Sequence, residues 1–161
     1  MSIRFVASLL LVQDMAVARD FYERFLGQEV YVDHGENVAF QGFALHDAKH
    51  FHALVFDGSS PVEGPQGRDN LELYFETMEL DEVWARAQAE GIPLVHPLRE
   101  QPWGQRVFRC YDPDRHIVEI AEPMPMVILR YLKQGMTVTE VVAKTSMPID
   151  FVMEVIESLD Q

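Results

Sequence analysis

Apolar and polar residues alternate from Ile3 to Val12, the period of a strand with one buried face, and then the period lengthens. Val17, Phe21 and Phe25 recur at four-residue steps, Asp14 stands where a helix cap belongs, and Gly27 stands where a helix stops. The same order is written again farther on. Leu71-Glu72-Leu73-Tyr74-Phe75-Glu76 alternates, Leu80, Val83, Trp84 and Ala87 fall at helical spacing, and Gly91 closes the run. Aligning Val12 with Phe75 and Gly27 with Gly91 leaves one extra residue near Met78, so the pattern predicts two copies of one supersecondary unit.

Three short strands follow each predicted helix. In the first copy they are residues 29–33, 38–41 and 43–46; in the second they are 94–98, 105–111 and 117–122. Each copy therefore reads β-α-β-β-β, over residues 3–56 and 70–122, joined by a Gly, Pro and Ser-rich linker at 57–69. The apolar segment 48–56 fits either a helical turn or an extra strand. After residue 123 only helix signals remain. Val127 to Lys133 stops at Gly135, Thr137 and Glu140 form a capping box, and Pro148 opens a helix carrying Phe151, Val152, Val155, Ile156 and Leu159. The expected organisation is α+β, with one domain over 1–123 and a three-helix appendage over 124–161.

The last two strands of the second copy are joined by Asp112-Pro113-Asp114-Arg115, residues that set a tight reversal, which predicts a hairpin. Alternation sends Val118 and Ile120 to one face and Ile117, Glu119 and Ala121 to the other. Glu119 is thus a lone carboxylate on an apolar strand face, either an edge-strand glutamate in water or a lining group of a concave site.

Composition narrows the function classes. The chain of 161 residues has room for one substantial core, and its apolar share of 48% is ordinary. No apolar run approaches the roughly 18 residues of a membrane span. Phe5 to Val12 followed by Ala16-Val17-Ala18 faintly resembles a secretory leader, but Gln13-Asp14 interrupts it and cleavage would destroy the first repeat. A net charge of −13 with no basic patch argues against nucleic acid. The single cysteine, Cys110, rules out an intrachain disulfide and a thiolate zinc cluster and suits a reducing cytoplasm.

The stretch Asp14, Ala18, Phe21, Tyr22, Leu26, Gly27, the Pro102-Trp103-Gly104 motif, and Asp112-Pro113-Asp114 ahead of Glu119 together resemble the vicinal oxygen chelate superfamily, which includes glyoxalase I, extradiol dioxygenases and bleomycin or fosfomycin resistance proteins. The resemblance covers about residues 3–122. It implies tandem modules whose curled, mixed sheets form a cup that holds the ligand. The superfamily's four metal-ligand positions fall here on Ala7, Ala44, Asn70 and Glu119, and only Glu119 is an ordinary ligand, whereas a divalent ion needs about three protein donors. Arg115 replaces the glycine usual after Asp-Pro-Asp; either a left-handed residue is kept there at a cost on the order of 1 kcal/mol, or the turn is rebuilt.

The resemblance and the ligand count lead to one main expectation. The protein is a metal-free binder of a small organic molecule, without a cofactor, its ligand held by Asn70, Glu72, Tyr74, Trp103, Arg106, Arg109 and Tyr111, with Glu119 as the candidate catalytic group. Arg109 has Glu119 or Glu72 as partners, and Trp103 and Arg106 sit beside Gly104 in a rim loop able to grip a flat or anionic ligand. Two alternatives stay open: a metal-dependent lyase, isomerase or dioxygenase using Glu119 as a ligand, and an interaction module acting through the C-terminal helices. His46, His50 and His52 read as packing or surface residues rather than ligands, since their spacing shares no single face. The last helix, with Asp150, Glu154, Glu157 and Asp160, has the wrong sign for DNA and is expected to serve as a homodimer contact or a lid.

Overall fold

The alternating run at the N-terminus pairs over only half its length. In the computed structural model, which describes residues 3–58 and 63–158, the first strand β1 is Ser8–Val12. Its parallel partner β4, Phe43–Asp47, offers five residues, matched from Ser8↔Phe43 to Val12↔Asp47. Residues 3–7 have no such ladder, and Ile3 is fully exposed. The strand expected from Ile3 is shortened for that reason.

Asp14 caps α1, Met15–Arg19, by accepting from the Val17 N–H at 3.1 Å. The helix then widens into a π-helical turn, Asp20–Phe25, in which the Leu26 N–H reaches Phe21 five residues back. That extra residue rotates the apolar face: Ala18, Phe21, Tyr22 and Phe25 are buried, while Val17 is half exposed. Strands β2 (Val32–Asp33) and β3 (Asn37–Ala39) complete an open sheet in the order β1-β4-β3-β2. Its core is aromatic, with Tyr22 and Phe43 ring centres 5.2 Å apart and Phe40 and Phe43 at 4.9 Å. Residues 48–55 settle the open alternative as a helix, α2, Ala48–Val55, capped by the Asp47 carboxylate.

The second copy repeats the plan. Strand β5 is Glu72–Glu76, α3 is Leu80–Ala89, and β6 (Leu94–Glu100), β7 (Arg106–Tyr111) and β8 (Ile117–Ala121) finish a sheet ordered β5-β8-β7-β6. The order matches the first sheet strand for strand, as the internal repeat predicts. Both sheets are mixed, and the fold is α+β. Phe108 and Cys110 are buried on the helix side, where Phe108 meets Trp84 of α3 at 5.1 Å between rings. Helices α4 (Met124–Lys133), α5 (Val138–Thr145) and α6 (Ile149–Glu157) form a bundle with its own core of Val127, Ile128, Tyr131, Val141, Val152 and Val155. The Thr137–Glu140 capping box forms at the start of α5. Leu159 and Asp160, and linker residues 59–62, lie outside the described residues. No described helix is long and apolar enough to cross a membrane.

The chain divides into two compact units, Met1–Leu71 with Tyr111–Ile117, and Glu72–Cys110 with Val118–Gln161. The hairpin turn of the second repeat thus belongs to the first unit, and buried Asp112 explains why. Its carboxylate accepts from the Tyr22 hydroxyl at 2.8 Å, from the His116 amide at 2.7 Å and from His116 Nδ1 at 2.8 Å. Asp114 accepts from the Gln13 amide and, through its carbonyl, from the Gly67 amide; burial pushes its carboxyl above the usual range. A Cβ on Gly67 would overlap the Arg115 carbonyl, so only glycine lets the chain pass there. Arg115 is left-handed at φ 65°, so of the two alternatives the turn keeps its left-handed residue rather than being rebuilt.

Candidate functional site

Glu119 lies on β8, an interior strand flanked by β5 and β7, and is only 4% exposed, which rules out the reading of an edge-strand glutamate in water. Its carboxylate is ion-paired with Arg109 Nη2. Arg109 Nε donates to Glu72 Oε2 at 2.6 Å, and Nη1 lies 3.0 Å from His96 Nε2. The His96 Nδ1 proton goes to the Pro97 carbonyl at 2.8 Å, which can only accept, so Nε2 is the acceptor of the Arg109 proton. One side chain from every strand therefore stands in a row across the sheet, in the order His96, Arg109, Glu119, Glu72. All three nitrogens of the guanidinium are engaged within it.

Beside this row Gln105, itself 4% exposed, fixes two aromatic groups. Its Oε1 accepts from Trp103 Nε1 at 2.9 Å, and its Nε2 donates to the Tyr74 hydroxyl at 2.8 Å and the Glu122 carbonyl at 2.9 Å. The Tyr74 hydroxyl donates to Glu76 at 2.6 Å. Burial of that end of the ring, helped by Glu76, pushes the phenol up to about 12, although half of the residue reaches solvent. Tyr74 thus remains a neutral hydroxyl at physiological pH.

The expected site residues are in this way separated into groups. Glu72, Arg109 and Glu119 meet directly, and Tyr74 and Trp103 meet through Gln105. Arg106 instead pairs with Asp81 on α3, the side where Phe108 packs. Tyr111 donates to Asp69 at 3.1 Å and carries the Arg115 guanidinium 4.3 Å above its ring, while Asn70 is exposed just ahead of β5. His96, Gln105 and Glu122 were not expected. No sequence signal marks the glutamine, and His96 is hidden by two register irregularities in β6, between Leu94 and His96 and between His96 and Arg99, which defeat counting back from the hairpin.

In the first unit the equivalent sheet face is apolar at Leu9, Ala44 and Ala39 and polar only toward Asn37 and His46. The ladder places Leu9 beside Ala44, and Ala44 beside Ala39. An open cavity of about 660 Å³ lies there, lined by Ala7, Tyr31, Asn37, Ala39, Phe40 and Phe43 among others. Nearby, His46 Nε2 lies 3.0 Å from His50 Nδ1, and the Asn37 amide lies 3.2 Å from His46 Nδ1.

The superfamily's metal ion does not fit these residues. Ala7 and Ala44 have no donor atoms, and the Glu119 carboxylate already holds a guanidinium. Among the described residues no three His, Cys, Asp or Glu side chains gather in a metal-binding group.

Residues 5–125 match the glyoxalase-like domain family, so the chain belongs to that family and to the vicinal oxygen chelate superfamily. A protein of unknown function from Agrobacterium tumefaciens str. C58 is 38% identical, with 76% of this chain and 96% of that one covered at a TM-score of 0.70. A lactoylglutathione lyase from Agrobacterium tumefaciens is 23% identical, covering 77% and 96% at 0.58. A glyoxalase/bleomycin resistance protein/dioxygenase from Nocardioides is 22% identical, covering 76% and 85% at 0.58. The last two share the fold alone. No curated protein matches the chain significantly.

Proposed function

We propose that the protein binds a small organic molecule without a metal ion. The observation that carries this reading is the cavity of about 660 Å³, whose volume and mainly apolar wall are those of a small-molecule site. Ala7, at a position where the superfamily's metal enzymes keep a ligand, lines it and leaves space instead of a donor. The second unit, taken by itself, presents Tyr74 and Trp103 as aromatic surface for stacking. Arg109 offers no unengaged nitrogen to an anion, and two carboxylates against one guanidinium leave the row formally negative. The ligand class that suits these groups of the second unit is a neutral or cationic aromatic compound rather than an anionic one.

Calorimetric titration of protein dialysed against EDTA, using 1-naphthylmethylamine and 1-naphthaleneacetate as probes, tests both parts. The amine is expected to bind at least about tenfold more tightly than the carboxylate, a difference of about 1.4 kcal/mol. Binding of neither probe, or binding that appears only after nickel, zinc or iron is added, overturns the proposal.

A further inference from the structure

Apart from the first two residues of α4, the C-terminal helices lie beyond the family match, which ends at residue 125. Helix α4 faces two ways. Val127, Ile128 and Tyr131 are part of the bundle core, yet Arg130 and Tyr131 also grip the loop between β6 and β7 that carries Trp103.

The loop has little to hold it by itself. Its own backbone bonds are those from the Gly104 amide to the Gln101 carbonyl and from the Gln101 amide to the Gln105 carbonyl, both 2.8 Å. Besides the Gln105 side-chain bonds, Arg130 holds it from outside: Nη2 donates to the Gly104 carbonyl at 2.6 Å and to Glu122 Oε1 at 2.7 Å, and Nη1 to Glu100 Oε2 at 3.2 Å. The same Glu122 oxygen accepts the Arg106 amide at 2.8 Å, where β7 begins. The Tyr131 hydroxyl donates to Glu100 at 3.0 Å, and its ring occupies the place where a Cβ on Gly104 would stand. Gly104, at φ 88°, is thus the one residue type that lets the bundle approach the loop backbone. From Glu122 the chain of bonds continues through Gln105 to the Trp103 indole.

We infer that the three-helix bundle is a brace for the Trp103 loop, with Arg130 as its positioning residue. The brace follows from these contacts alone; its effect on ligand affinity rests on the proposed role of Trp103 in stacking. A mobile indole would have to be ordered by each binding event, whereas a braced one is ordered in advance.

Trp84 and Trp103 are the two tryptophans of the chain, so Trp84→Phe leaves Trp103 as the only indole. In that background Arg130→Met should raise acrylamide quenching of Trp103 about twofold, as expected of a loop released into local opening. Arg130→Met with Glu122→Gln, which removes the unpaired carboxylate, should regain thermal stability and keep the raised quenching. That separation distinguishes positioning from plain structural support; unchanged quenching in both variants overturns the brace. If Trp84→Phe impairs folding, amide exchange of Gln101, Trp103, Gly104 and Gln105 in Arg130→Met on the natural background serves instead, faster exchange supporting the brace and unchanged exchange rejecting it. Naphthylmethylamine affinity in the double variant reads the other part: raised quenching with unchanged affinity keeps the brace and removes Trp103 from the ligand site.

Discussion

Arg109 and Glu119 form an ion pair across neighbouring strands, and the glutamate is the more deeply buried partner, its side chain 6% exposed against 22% for the arginine. A buried charge that loses its counterion is far less stable than a pair or than no charge at all.

Arg109→Met is therefore expected to destabilise the fold by about 3 kcal/mol, because Glu119 is left buried and uncompensated. Arg109→Met with Glu119→Gln should recover most of that loss. Urea unfolding followed by circular dichroism gives the comparison, and equal losses in the single and double variants would contradict it.

At Arg115 two effects oppose each other. A left-handed non-glycine residue costs about 1–2 kcal/mol, while the guanidinium over Tyr111 returns about 0.5–1 kcal/mol. Arg115→Ala keeps the strain and loses the ring contact, whereas Arg115→Gly loses both. The glycine variant should be more stable than the alanine variant by about 1 kcal/mol, measured as a shift in urea midpoint. A more stable alanine variant would show that the turn is rebuilt in solution.

Burial first, and then the neighbouring His50, hold His46 below its ordinary 6.5, with Asp47 and Glu36 opposing. Below that pH the unfolded chain takes up a proton on His46 that the folded chain resists, so stability falls as pH drops from about 6.5 toward the lower folded value. The pH dependence of Tm between pH 7.5 and 5 should be shallower in His46→Gln than in the natural protein. Identical slopes would place the titration elsewhere.

The duplication, the β-α-β-β-β run of elements and the hairpin were legible because they rest on local period and turn chemistry, which neighbouring residues write directly into the chain. Val17 misled because a π-helical turn shifts the buried stripe by one residue, and nothing in Asp20 to Phe25 announces it. Residues 3–7 misled because alternation signals a strand without showing whether a partner is long enough to pair with it. Glu119 is legible as a carboxylate on an apolar face, and the same alternation puts Arg109 within reach. His96 was invisible, since two register irregularities separate its place in the chain from its place in the sheet.

The turn 111–117 has a consequence for how the duplicated halves can exist. Though written into the second repeat, it supplies the first unit with Asp112, which receives the Tyr22 hydroxyl. Severing the polypeptide in the linker would leave the leading fragment without that segment and the trailing fragment carrying it with no tyrosine to meet. Each piece would lack one partner of that bond, so the linker, where the repeat looks divisible, is not where the compact units divide.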